Sequence, residues 1–239
     1  MERFRYRLRF AKQHDLRLIS HRDLVRTLER LFRRAGLALK MSEGFHPKPR
    51  LSFPLPMAVG TTGLDEVLEL ELTAPRDAQE LRQTLNAQAV PGLEFLHCEL
   101  LPMGAGKAQA YRFAVEATLP ADRAAVVQRR LAELAAQPNW PVARKQDVPP
   151  FDAKPLVDLL DVRDGVVRMR LWFNRQGSVR PSEVLGLLGL DAEEIAELPL
   201  VRTQVELDAG DVAAASAADD FATTCAAGAQ PIQPQEGTR

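Results

Sequence analysis

Histidine is the side chain type suited to acid–base work near neutral pH, and His21 and His46 both stand among cations. His21 lies in "SHRDL" and His46 in "SEGFHPKPRLSFPLP", Ser42 to Pro56. Arg22 lies within the first motif, with Arg26, Arg33 and Arg34 after it; Lys48 and Arg50 lie within the second. Histidines could serve as general acid or base, and the guanidinium and ammonium groups could hold an anion. The second motif packs four prolines into its fifteen positions. No helix tolerates that density; it belongs on an edge strand or in a shaped loop.

Several other arrangements fail on spacing. His21-Arg22-Asp23 is superficially like a kinase catalytic loop, which needs an asparagine five residues after the aspartate; Leu28 stands there. Capping is the simpler account, with Ser20 as N-cap and Asp23 at the positive end of a helix dipole. His14, His21 and His46 show none of the close pairing that marks a zinc site. His97 and Cys98 are adjacent on a strand, so they face opposite ways and one of them packs in the core. "GAGK", Gly104 to Lys107, is not a Walker loop, because Leu101 and Ala108 replace the required glycine and hydroxyl. Cys98 and Cys225 are too few for a disulfide framework or a self-contained cysteine-ligated iron–sulfur cluster. No metal and no cofactor is assigned.

The balance of 46% apolar and 26% charged residues is that of a soluble globular protein. No apolar run reaches the roughly 20 residues that span a bilayer, and "MERFRYRLRF" lacks a signal peptide's apolar stretch. A cytoplasmic location is expected, with no membrane partner. The near-neutral net charge hides a division. Residues 1–50 carry 14 Lys and Arg against 5 Asp and Glu; the rest carries 17 against 27. A basic opening segment suggests a local anionic partner.

The elements that must position these residues follow from periodicity. "RFRYRLRFAK" alternates strictly, Phe4, Tyr6, Leu8 and Phe10 on one face and four arginines on the other. "SHRDLVRTLERLFRRAG" reads as a helix with Leu24, Leu28, Leu31, Phe32 and Ala35 as its apolar stripe and Gly36 as its stop; Glu29 is the main local acid for its arginines. "RLSFPLPMAV" is extended, "DEVLELELTA" a strand, "PRDAQELRQTLNA" a helix and "GLEFLHCELL" a strand. That order, β-α-β-β-α-β, is the ferredoxin-like unit. The second half repeats it in element order: "AYRFAVEATL", a helix from "PADRAAVVQRRLAELAAQ", "WPVARK", a hairpin turning at Asp164-Gly165, a helix from "RPSEVLGLLGL", and "PLVRTQVEL". The expected fold is α+β: two tandem ferredoxin-like (βαββαβ) units with antiparallel sheets, residues 1–104 and 108–208, and a disordered tail, 209–239. In such a unit the first strand lies between the third and fourth. Glu69 and Glu71 on the third then pair with the arginine row, for about 0.2–1 kcal/mol each, which argues against that row as an RNA-binding face.

"LRLISHRDLVRTLERLFRRAGL" followed by "SEGFHPKPRLSFPLPMAVG" resembles a bacterial family of unknown function, the radical-SAM-linked (or radical-SAM-associated) proteins. The resemblance covers most of residues 1–205 and is most specific over 16–60. Ser20, His21, Asp23 and Leu24 match its SHLDL block, with Arg22 in place of leucine. Arg33, Arg34, Ala35 and Gly36 match RRAG. Gly44, Phe45, Pro47 and Pro49 match a GFNPHP-like loop, in which His46 replaces asparagine and Lys48 replaces histidine. The resemblance implies work beside a radical S-adenosylmethionine protein, which would supply cluster and cofactor. It implies no reaction for this chain.

These readings converge on a non-catalytic accessory or substrate-recognition module that binds an anionic molecule, RNA among the candidates. Its expected contacts are His21, Arg22, Arg26, Arg33, Arg34, Gly44, Phe45, His46, Lys48 and Arg50. Prolines cut the loop's unfolded-state entropy, Gly44 permits a turn, Phe45 is expected to anchor the loop by burial, and His46 and Lys48 form its exposed reach. An alternative is a metal-independent RNA-processing enzyme with histidine acid–base chemistry, since CRISPR-type endoribonucleases also use tandem ferredoxin-like units. A purely structural scaffold would bind no anion at all.

Overall fold

Strand β1, Phe4–Lys12, turns Tyr6, Leu8 and Phe10 into the core, as its alternation requires. Helix α1, His21–Arg34, follows a short 3-10 turn and buries Leu24, Leu28, Leu31 and Phe32. Ser20 caps it, accepting from the backbone N–H of Asp23 at 3.1 Å, and Gly36 beyond its end has φ +66°. The first half continues through β2 (Leu51–Ser52), β3 (Thr62–Leu72), α2 (Ala78–Ala87) and β4 (Leu93–Leu100). The second half comprises β5 (Ala110–Thr118), α3 (Ala124–Ala135), β6 (Pro141–Val142), β7 (Phe151–Asp152), β8 (Val157–Arg163), β9 (Val166–Asn174), β10 (Gly177–Ser178), α4 (Pro181–Leu187), α5 (Ala192–Glu197) and β11 (Leu200–Leu207). This computed structural model describes residues 3–144, 149–174 and 177–208; the expected disordered tail lies outside the described residues.

Among the described residues, nine strands form one mostly antiparallel sheet in a mixed α+β fold. Its order is β10-β9-β5-β11-β3-β1-β4, with β2 beside β3 and β8 beside β9. In the first half β3 and β4 flank β1; in the second, β9 and β11 flank β5. A parallel contact joins them, Val201 of β11 opposite Thr62 of β3 and Arg202 opposite Gly63. The strands of the two halves are therefore continuous through a link that alternation within either half does not disclose. No helix among the described residues is long and apolar enough to cross a membrane.

Two apolar clusters fill the layers. One gathers Tyr6, Leu8, Phe10 and Leu68 of the sheet with Leu28 and Phe32 of α1 and Leu81 and Leu85 of α2. The other gathers Phe113, Val115, Met169 and Leu171 with Val127 and Leu134 of α3 and Val184 of α4. The β8–β9 hairpin turns at Asp164 (φ +54°) and Gly165 (φ +72°), the two positive φ values of a type I′ turn. The extended reading of "RLSFPLPMAV" shrinks to the two residues of β2. Pro54 and Pro56 lack the N–H that a longer ladder needs. Helix α5, which the sequence reading did not resolve, starts with a capping box between Asp191 and Glu194.

Candidate functional site

The β1–β3 register sets Arg5 opposite Glu71 and Arg7 opposite Glu69. Glu69 Oε1 accepts from Arg7 Nη2 at 2.8 Å and Nε at 3.2 Å, and from the backbone N–H of Ala108 at 3.3 Å. Arg9 pairs with Asp65 at 2.5 Å. The arginine row is thus largely matched by carboxylates; Glu69 and Glu71 were the expected partners, and Asp65 and Glu99 add two more.

The proline-rich loop rises from the sheet edge on a short frame. Lys40 N–H donates to Glu71 O, Arg50 N–H to Lys40 O, and Glu71 N–H to Arg50 O, at 2.8, 2.9 and 3.2 Å. Above that frame, Ser42 N–H donates to Lys48 O at 2.7 Å, and Lys48 N–H donates to Ser42 Oγ at 3.0 Å. These bonds close the loop at its neck. Gly44, at φ +127°, makes a turn that a side chain would strain. The expected anchoring role of Phe45 is overturned: its side chain is fully exposed, and His46 and Lys48 are exposed beside it. The tip projects past its own neck, so no surface is left for the ring to bury against.

Below the neck lies a cleft of about 330 Å³. Ser42, Pro49 and Arg50 form its loop side, Arg5, Glu69 and Glu71 its sheet side, and Lys107 approaches from the segment after β4. Arg5 is held in place by donating to the carbonyls of Gly106 and Ala105 at 2.8 and 2.7 Å. The "GAGK" stretch therefore contributes a carbonyl clamp and a lysine at a cleft edge, with no Walker geometry. Arg50 Nη1 stands 3.9 Å from Glu71 Oε2, and Lys107 makes no ion pair among the described residues. Glu69 Oε2 and Glu71 Oε2 are buried and accept no hydrogen bond.

Of the ten residues expected at the site, Arg50 is the one that lines this cleft. Gly44, Phe45, His46 and Lys48 form the loop above it. Arg22, Arg26, Arg33 and Arg34 are exposed along α1, where Arg26 pairs with Asp23 at 3.1 Å, in place of the expected Glu29, and Arg34 donates to Gln88 O. His21 sits elsewhere. Its ring packs edge-on against Phe53 at 4.8 Å, and its Nδ1 is buried without a hydrogen bond. Burial lowers its pKa, and the nearby Lys12 and Arg202 lower it further.

Arg5, Glu69, Glu71 and Lys107 were not anticipated as one cleft. The first three were read as a mutually neutralising pair of strands, and Lys107 only as part of a failed motif. Strand register could have joined Arg5 to Glu71; nothing in the sequence brings Lys107 beside them.

No curated protein matches the chain. Among solved structures, it matches one described as the crystal structure of an unknown protein from Galdieria sulphuraria, at 12% identity over 86% of this chain and 99% of that one. The TM-score is 0.28. A family model described as an uncharacterized protein conserved in bacteria (DUF2344) matches residues 5–181. Spanning the loop, the cleft and most of both apolar cores, that match makes the chain a member of the DUF2344 family.

Proposed function

We propose that this chain is a non-catalytic recognition module that binds an anionic ligand, RNA among the candidates, beside a radical SAM protein. The observation that carries the binding half is the cleft under the proline-rich loop, with Arg50 and Lys107 at its edges. A loop closed at its neck and stiffened by Pro47 and Pro49 is ordered before a ligand arrives, so binding costs less conformational entropy. The partner half rests on the resemblance over residues 16–60. Cys98, buried and with its thiol pushed up to about 12 by that burial, is not poised to ligate a metal. Cluster and cofactor would come from the partner.

On this reading the two halves are tandem ferredoxin-like units. Two observations support this: the first half runs β2-β3-β1-β4 and the second β8-β9-β5-β11, the same relative order. The RNA-cleaving alternative has less support. His21 packs its ring edge-on against Phe53 with its Nδ1 buried, a poor placement for a general acid or base acting on a phosphodiester.

The test is titration of the full chain with inorganic phosphate and with a structured RNA, at low and moderate salt. Binding without cleavage is expected, weakening as salt rises and weaker in the Arg50→Ala, Lys107→Ala double variant. RNA cleavage, or binding indifferent to salt and to both substitutions, counts against the module. Co-elution with a radical SAM protein encoded beside this chain tests the partner separately.

A further inference from the structure

We infer that the cleft selects a ligand in which an anionic group is joined to an N–H donor, the chemistry of an amino-acid zwitterion or of a nucleotide with an amino-bearing base. The inference rests on the reading of this cleft as the binding site and narrows what fills it.

The reason is the cleft's own carboxylates. The Glu69 side chain is 97% buried, at 3% exposure, yet its Oε2 accepts no hydrogen bond; Arg5 Nη1 stands 3.7 Å away and spends its hydrogen bond on Gly106 O. Glu71 Oε2 is likewise buried without a donor, with Arg50 at 3.9 Å. Arg7 donates to the other oxygen of Glu69. A buried acceptor without a donor is costly, and a ligand N–H would relieve that cost.

A bare phosphate meets the opposite situation. It would gain Arg50 and Lys107 but bring no N–H for the two unsatisfied carboxylate oxygens beside them. A ligand carrying both groups can set its anion toward Arg50 and Lys107 and its N–H toward Glu69 and Glu71. Carboxylates accept from exocyclic base amines in the same way when proteins read nucleotides. The cleft's volume, about 330 Å³, is near the lower bound for small-molecule sites. It suits one amino acid or one nucleotide.

The experiment titrates the full chain, isotopically labelled for NMR and in parallel by calorimetry, with inorganic phosphate, cytidine 5′-monophosphate and L-alanine. At least one amino-bearing probe should bind about tenfold or more tightly than phosphate, as one added charge-assisted hydrogen bond would give. Amide shifts should centre on Ser42, Arg50 and Lys107. Glu71→Gln should weaken that probe and strengthen phosphate. A response to the cytidine nucleotide alone identifies a nucleotide ligand, and to alanine alone an amino acid. Equal affinity for all three, lost in Arg50→Ala, overturns the selectivity but leaves the anion site standing. If no probe perturbs the cleft, both the selectivity and the site fall.

Discussion

Arg202, on β11, forks its guanidinium onto the carboxylate of Glu66, 136 residues earlier. Nε donates to Oε1 at 2.7 Å, Nη2 donates to Oε2, and both groups are buried. Arg202 also donates to Pro56 O at 3.1 Å and Leu55 O at 3.4 Å. This one side chain thus ties β11, β3 and the segment after β2 together where the halves of the sheet meet. Lys12, with no exposure, lies in the field of the same carboxylate, its Nζ donating to Arg17 O and Ile19 O at 3.3 and 3.4 Å. Burial lowers the Lys12 pKa, with Glu66 pulling against it. Two buried cations therefore share one buried anion.

That imbalance makes the three residues unequal. Glu66→Gln leaves Lys12 and Arg202 without a counter-charge and is expected to cost about 3–5 kcal/mol, as does breaking a buried pair from one side. Lys12→Met removes the surplus charge, keeps most of the volume, and is expected to change stability by less than about 1.5 kcal/mol. Urea unfolding of the two variants checks the contrast. Equal losses would mean that Lys12 supports the fold as much as Glu66 does.

His21 borders this cluster, and its proton has a predictable effect. Burial first, then Lys12 and Arg202, hold its pKa below the ordinary 6.5, so the folded state resists protonation. The unfolded chain binds the proton more readily. Stability should be full above pH 6.5 and should fall as pH drops from there through the lowered folded value. His21→Phe keeps an aromatic contact to Phe53 and removes the titration. Thermal melts at about pH 8 and about pH 5 should show a smaller acid-induced drop for that variant than for the parent. An identical drop would place the acid sensitivity elsewhere.

What could be foreseen and what could not divides along the range of the interaction. Ser20 and Gly36 bound α1 because capping and left-handed turns are local chemistry. Glu69 was foreseen opposite the arginines because alternation and strand order fix which residues face each other. Glu66 and Arg202 were not paired, because the parallel β11–β3 contact crosses halves that each read as complete. Phe45 was misjudged on the usual preference of an aromatic ring for the interior, a preference that yields when a loop closes at its neck and leaves its tip outside. The cleft itself depends on Lys107 arriving after β4, a path no local pattern specifies.

Cys98 is buried on β4, while His97 beside it is exposed. Burial first, then Glu99 and Asp77, push its thiol up to about 12. Its thiolate is therefore scarce at neutral pH, and the sulfur is screened from reagents. Native alkylation with iodoacetamide followed by peptide mass spectrometry should leave Cys98 unmodified, with full labelling after denaturation. Rapid native labelling would mean that β4 opens locally.

Phe45 and Phe32 are the same residue type in opposite surroundings, fully exposed on the loop tip and fully buried on the core side of α1. Phe32→Ala is expected to cost about 3–5 kcal/mol through lost contacts and a cavity. Phe45→Ala forfeits no buried area and is expected to stay within about 0.5 kcal/mol of the parent. An exposed aromatic on a pre-ordered loop is then available for contact with whatever approaches the cleft. If Phe45 takes part in binding, Phe45→Ala will weaken phosphate, nucleotide or RNA affinity while the melting curve stays in place. A destabilised Phe45→Ala variant would mean instead that the ring packs against the protein in solution, and the loop tip would lose its claim to be a contact surface.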